Sequence, residues 1–302
     1  MVQAIDCMYY VATRAFMEAW DKAKTGELEC RMEKAIGGLP RYESIEEMLG
    51  LMDRAGVERV FITQCKMWSY RRKWMYMDTK LEDVLQYTER YPNRFVGLAG
   101  YDPFHIKESL AEIETAVVKH GFKGVYVHIY GFDIPLNDRK MYPLYAKCVE
   151  LDVPVSMQVG HVLEAMPSDC GRPLYLDRIA CDFPDLRMLG AHTGWPWVEE
   201  LISACYKWEN IWFGVDAWMP KYLTPQAVQF LKSRMGRDRC VWGTNGLPWD
   251  ESLKQVEEMG LKEEVKRKLL RENVIELFRL DAPAAKAAPA AAAAAERKWR
   301  QA

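Results

Sequence analysis

A histidine, a tyrosine and two amides stand where short apolar runs give way to polar or glycine-rich sequence. His192 lies in MLGAHTGWPW, Gln158 in VSMQVG and Asn245 in VWGTNGLPW, while Met8 and Tyr10 close the run IDCMYY. His128 in KGVYVHIYG and Asp216 in FGVDAW share this placement. An imidazole suits proton transfer because its ordinary pKa lies near neutrality. The amides donate hydrogen bonds through NH2 groups, and a tyrosine donates through its phenol. Aimed at one oxygen, such donors hold the charge that develops on an attacked carbonyl, each contributing roughly 2.7–4 kcal/mol. Asp216 has two readings: it orients His192 or a water, or it caps the loop that follows. The plain alternative for Gln158, Asn245 and Tyr10 is inert filling of a pocket.

Chemistry of this kind needs a scaffold that gathers strand ends. Strand candidates rich in β-branched and aromatic residues are 2–6, 59–64, 94–100, 124–128, 153–158, 187–192, 211–216 and 240–244. Helical spacing fills the gaps. In SLAEIETAVVKHGF, Leu110, Ile113, Ala116 and Val117 share a face, and Gly121 marks the stop. In YPLYAKCVELDVP the helix ends before Pro154 and a strand follows. Strand–helix units without internal hairpin signals imply parallel strands, and eight suffice to close a barrel. The rival, an open doubly wound sheet, lacks a GxGxxG turn after an early strand. The expected fold is therefore α/β, a single (β/α)8 barrel over residues 1–280. Residues 9–42 form a long insertion after the first strand, expected to cap or shape the pocket. Residues 281–302 are an Ala/Pro-rich tail expected to be disordered.

Bulk properties narrow the function. A hydrophobic content of 49% over 302 residues supports a large core, and the net charge of −2 argues against nucleic-acid binding. No apolar run approaches the roughly 20 residues of a membrane span. The eight cysteines are scattered without a CxxC pair, which fits buried thiols in a reducing cytoplasm. The segment QCKMWSYRRKWMYMD carries Trp68, Tyr70, Trp74 and Tyr76 among Lys66, Arg71, Arg72 and Lys73. Flat rings and guanidinium groups suit a lid over an aromatic acid or a grip on the phosphates of a CoA thioester. The same composition suits an oligomer contact. Arg14 and Arg172 are further candidates for holding a carboxylate. His105 and His120 read as surface or helix-end residues.

The four landmark runs together resemble strand ends of the amidohydrolase superfamily, in the branch of aminocarboxymuconate-semialdehyde decarboxylase-like enzymes. The resemblance spans about residues 2–280. ERYPNRFVGLAGYDP, HGFKGVYVH, MYPLYAKCVELDVPV, FPDLRMLGAHTG and ENVIELFRL are similar to the family as well. It implies Asp-x-His-x-His on the first strand, His on the fifth and sixth, and Asp on the eighth. Asp6 and His192 match. Met8, Tyr10, Gln158 and Asn245 stand where metal ligands are expected, and thioether, phenol and amides are poor ligands for zinc or manganese. The resemblance thus implies a kept pocket without its metal; a rebuilt metal site would have to use His128 or His161. It makes His192 the catalytic histidine and His128 a substrate contact, with Met8 on the pocket wall.

The function expected first is a metal-independent hydrolase of a reactive carbonyl: a lactone, a β-keto acid or a β-keto acyl-CoA, including retro-Claisen carbon–carbon cleavage. His192 acts as base there, with Asn245, Gln158 and Tyr10 as oxyanion donors and no cofactor. The alternatives are a non-oxidative decarboxylase or hydratase, and a barrel that only binds a ligand. The expected partners are a small molecule and, by resemblance, a second copy of the chain.

Overall fold

The apolar runs fold as parallel strands of one sheet. The structure, a computed structural model, describes residues 2–21 and 40–281. The barrel strands are β1 (Ala4–Tyr10), β2 (Val57–Thr63), β5 (Phe95–Gly100), β6 (Gly124–Val127), β7 (Val155–Gln158), β8 (Met188–Ala191), β9 (Ile211–Val215) and β10 (Cys240–Trp242), hydrogen-bonded in that order. Every pairing between them is parallel. Helices cover the outside, as the strand–helix alternation requires. One of them, α1 (Ile106–His120), stops at Gly121, whose φ of 71° is the left-handed cap that glycine adopts without strain. Another, α2 (Tyr142–Glu150), ends ahead of Pro154 and β7. The fold is a (β/α)8 barrel, as the sequence predicts.

Asp6 ties the seam between β1 and β10. Its Oδ1 accepts from the backbone N–H of Met8 and of Thr244, each at 3.0 Å. Its Oδ2 accepts from the Thr244 hydroxyl at 2.5 Å and the Trp249 indole at 2.7 Å. Beside these bonds, Asn245 N–H donates to the Met8 carbonyl at 2.9 Å. Burial pushes the Asp6 carboxyl up to about 6 from its ordinary 3.8, against the pull of these hydrogen bonds. The matched aspartate is thus a structural tie, fully buried and absent from the cavity lining.

The strands depart most from the sequence reading in two places. β1 starts later and runs on to Tyr10, because Cys7–Tyr10 is buried and Tyr9 and Tyr10 still pair with β2. Its register shifts between Asp6 and Tyr9, a bulge of the kind that re-aims side chains beside active sites. The loop after β2 holds a hairpin that was not expected, β3 (Lys66–Trp68) against β4 (Met75–Asp78).

The ends of the 9–42 insertion are anchored at β1. Tyr42 N–H donates to the Ala12 carbonyl at 2.8 Å, and the Tyr9 and Tyr42 hydroxyls lie 2.5 Å apart. Residues 22–39, on which the capping expectation falls, and the tail 282–302 lie outside the described residues. Of the seven described cysteines, six are buried and Cys181 is exposed. No helix of the described residues is long and apolar enough to cross a membrane.

Candidate active site

The carboxyl ends of the strands surround a cavity of about 670 Å³, within the usual range of small-molecule sites. Met8, Tyr10, His128, Gln158, His192 and Asn245 all line it. Three of the five histidines in the sequence are there, since His161 joins His128 and His192.

His192 is held at two points by Asp216. The carboxylate Oδ2 lies 2.6 Å from the ring Nδ1, and Oδ1 accepts the His192 backbone N–H at 2.8 Å. Asp216 is fully buried and His192 nearly so. Gly214 makes room for the grip: a Cβ there would meet Asp216 Oδ1 at 2.4 Å. With Nδ1 engaged, Nε2 is the ring nitrogen left for a substrate, an arrangement that fixes both tautomer and ring plane. Asp216 therefore orients His192, the first of its two sequence readings.

Backbone strain gathers at the same rim. β8, β9 and β10 are each followed by a non-glycine residue in the left-handed region: His192 (φ 68°), Ala217 (φ 59°) and Asn245 (φ 52°). All three line the cavity. Asparagine tolerates this conformation; histidine and alanine adopt it at a cost of roughly 1–3 kcal/mol each.

Neutral donors complete the wall. Tyr126, on β6, donates its hydroxyl to Gln158 Oε1 at 3.0 Å, which leaves the Gln158 NH2 as donor. The Tyr10 hydroxyl is buried with no hydrogen-bond partner among the described residues. Burial, helped by the neighbouring Tyr42, pushes its pKa well above the ordinary value, so it stays a protonated donor. It packs over Gly246, where φ is +90° and a Cβ would come within 2.5 Å of that oxygen.

Glu164 is a candidate site residue that the sequence reading missed. It lines the cavity in the loop after β7, with its side chain 9% exposed and Oε1 3.7 Å from His128 Nε2. That separation suits an ion pair and is too long for a hydrogen bond. Burial resists its ionisation, yet His128 and, less strongly, His192 hold the carboxyl below its usual range. Its only sequence signal is a lone carboxylate within the apolar stretch 162–167.

The aromatic–basic loop contributes differently from its sequence reading. The hairpin partners Met67 and Met77, with Cys65, reach the cavity. Trp68 does not; it packs against Phe132 and Phe104, with ring centroids 5.8 and 5.1 Å away. Arg71 and Arg72 lie exposed in the hairpin turn. Arg14 pairs with Glu43 at 2.5 Å, and Arg172 with Glu200. Thus Trp68, Arg71, Arg72 and Arg14 stand apart from the described cavity lining: alternation along β3 sends Met67 inward and Trp68 to the other face, Arg71 and Arg72 lie in the turn, and Arg14 opens the helix Arg14–Asp21. The lysine that lines it is Lys221, stacked over the Tyr222 ring.

Comparison with known proteins decides the family. The amidohydrolase family model, Amidohydro_2, matches residues 17–280. The chain belongs to the amidohydrolase family. A 2-keto-4-carboxy-3-hexenedioate hydratase from Sphingobium sp. is 32% identical over 130 residues; the match spans 37% of this chain and 38% of that relative. Among solved structures, a TIM-barrel protein of Bordetella bronchiseptica superposes with TM-score 0.71 at 23% identity, covering 91% of this chain and 98% of that one. The 2,6-dihydroxybenzoate decarboxylase from Rhizobium gives TM-score 0.69 at 16% identity, covering 93% and 100%. A 5-carboxyvanillate decarboxylase from Novosphingobium aromaticivorans, solved with manganese, gives 0.67 at 17%, covering 92% and 97%. At these identities the structural likeness shows the fold.

This amidohydrolase departs from a metal-binding donor set. Met8, Tyr10, Gln158 and Asn245 offer a thioether, a phenol and two amides. Among the described residues no three His, Cys, Asp or Glu side chains are grouped so as to hold a metal ion. Those residues do not fit a divalent metal, which needs about three imidazole, thiolate or carboxylate ligands.

Proposed function

We propose that this amidohydrolase is a metal-independent hydrolase acting on a reactive carbonyl of a small aromatic or carboxylic acid substrate. The observation that carries the reading is the two-point grip of Asp216 on His192 within a cavity of neutral donors. His192 Nε2 takes a proton from water as the water oxygen attacks the carbonyl carbon. Asp216 holds the ring and stabilises the imidazolium that forms. The Gln158 and Asn245 amides and the Tyr10 phenol offer hydrogen bonds to the developing oxyanion. Without a Lewis acid the substrate must itself be electrophilic, as a lactone, a β-keto acid, a 1,3-diketone or a β-keto thioester is.

A second reading is a carbon–carbon or hydro-lyase. The similar proteins include a hydratase and decarboxylases, and a water held by His192 can add to a conjugated double bond as well as to a carbonyl. The test is a screen of 1,3-diketones, β-keto thioesters and lactones beside hydroxybenzoates and unsaturated keto acids. Hydrolysis that His192→Ala lowers by about 100-fold or more supports the proposal. Full activity in that variant overturns the mechanism, and carbon dioxide release or hydration in place of hydrolysis selects the lyase reading.

A further inference from the structure

Glu164 and His128 have no task in the mechanism above, yet they are costly to keep. The His128 side chain is 2% exposed, and neither of its ring nitrogens has a hydrogen-bond partner among the described residues. Glu164 is a nearly buried carboxylate, and burying an ion costs several kcal/mol unless a countercharge offsets it. The loop carrying Glu164 is fixed at both ends. His161 N–H donates to the Trp195 carbonyl at 2.6 Å, and Val162 N–H donates to Ser168 Oγ at 3.2 Å. His128 follows β6 and His192 follows β8, so the Gln158 amide at the end of β7 stands between them in strand order.

Besides Lys221 and the Asp216–His192 pair, the titratable groups around Glu164 and His128 are neutral near pH 7. Burial raises the Tyr126 and Tyr130 phenols well above their ordinary values and the Cys65 thiol to about 11. Burial lowers His161, despite the opposing pull of Glu164. The cavity therefore holds two carboxylate–imidazole pairs, Asp216–His192 and Glu164–His128, each with an imidazole edge toward the lumen.

We propose that His128 and Glu164 form a second acid–base pair, and that it delivers a proton to carbon when a carbon–carbon bond is cleaved. This rests on the hydrolytic reading and narrows it to a β-dicarbonyl substrate, since ester and lactone hydrolysis leave no carbanion to protonate. Water gives a proton to His192, and its oxygen bonds to the carbonyl carbon. The tetrahedral oxyanion collapses, re-forming the C=O bond. The C–C bond breaks, and its electron pair moves onto the α-carbon as the enolate of the second carbonyl. That carbon takes the proton held by the His128–Glu164 pair, giving a carboxylic acid and a ketone. The proton on His192 then returns to the pair through solvent, which resets both.

Two measurements test this on the full chain, and they fail separately. In histidine 15N NMR without substrate, Glu164→Gln should move the His128 ring-nitrogen signals and leave the His192 signals in place. Unchanged His128 ring-nitrogen signals overturn the pair. In kinetics, 1-phenylbutane-1,3-dione is compared with p-nitrophenyl acetate. Glu164→Gln and His128→Gln should cost diketone cleavage about 100-fold and ester hydrolysis less than about tenfold. Equal losses on both probes, or no loss on either, overturn proton delivery to carbon. Wild-type protein that hydrolyses the ester but not the diketone overturns the carbon–carbon assignment alone. Failure on both probes rejects the hydrolytic reading, while the NMR result still judges the pair.

Discussion

At the scale of single residues, the chemistry rests on what each side chain can donate or accept. His192 and Asp216 act as one unit, so their effects should not add. Asp216→Asn is expected to lower kcat by about 100-fold or more, by releasing the ring and favouring the wrong tautomer. The double variant with His192→Ala should lose little beyond the single; a full multiplicative loss in steady-state kinetics would show independent roles. Much of this site is legible in the sequence, because each residue follows an apolar run and a barrel gathers such ends. His192, Gln158, Asn245, Tyr10, Met8 and His128 all reach one cavity. Glu164 is not legible, since it lies in an irregular loop with no periodicity, and only the folding of that loop over β6 brings it to His128. Tyr126 reads as ordinary strand core, although its hydroxyl sets the orientation of Gln158.

At the scale of elements, strand ends are positioned by buried polar ties. Asp6 joins β1 to the residues after β10 through four hydrogen bonds. Asp6→Ala leaves those donors unsatisfied and should cost about 3 kcal/mol in urea unfolding. The folded carboxyl has its pKa at about 6, above the ordinary 3.8, so the folded state binds this proton more tightly than the unfolded chain. Its contribution to stability is present below about pH 4 and is lost as pH rises through about 6. Asp6→Asn should flatten that part of the stability–pH profile; an unchanged slope would show that the carboxyl is not raised. Gly246→Ala places a Cβ against the Tyr10 hydroxyl at positive φ. It should destabilise by about 1–3 kcal/mol, and thermal melts in which Gly246→Ala matches wild type would reject that packing. The hairpin β3–β4 shows where composition misleads. Its aromatic and basic residues suggested a substrate grip, but composition carries no direction, and the alternation of the hairpin delivers Met67 and Met77 to the cavity instead.

At the scale of the molecule, the eight strands and their order were readable because each is a buried run bounded by turn residues, and strand–helix alternation leaves few topologies. What the molecule does with the barrel depends on the donor set at its carboxyl end. On the proposed mechanism this family member works without the divalent ion found in the manganese-bound decarboxylase. Added manganese or zinc should therefore leave the rate within about twofold, since no imidazole–carboxylate ligand set awaits it. The most direct measurement is the metal content of protein purified without chelator or immobilised metal, by inductively coupled plasma mass spectrometry. Metal independence predicts well below about 0.1 equivalents of any transition metal per chain. About one tightly held manganese or zinc per chain would contradict it and make metal-assisted decarboxylation or hydration the leading function.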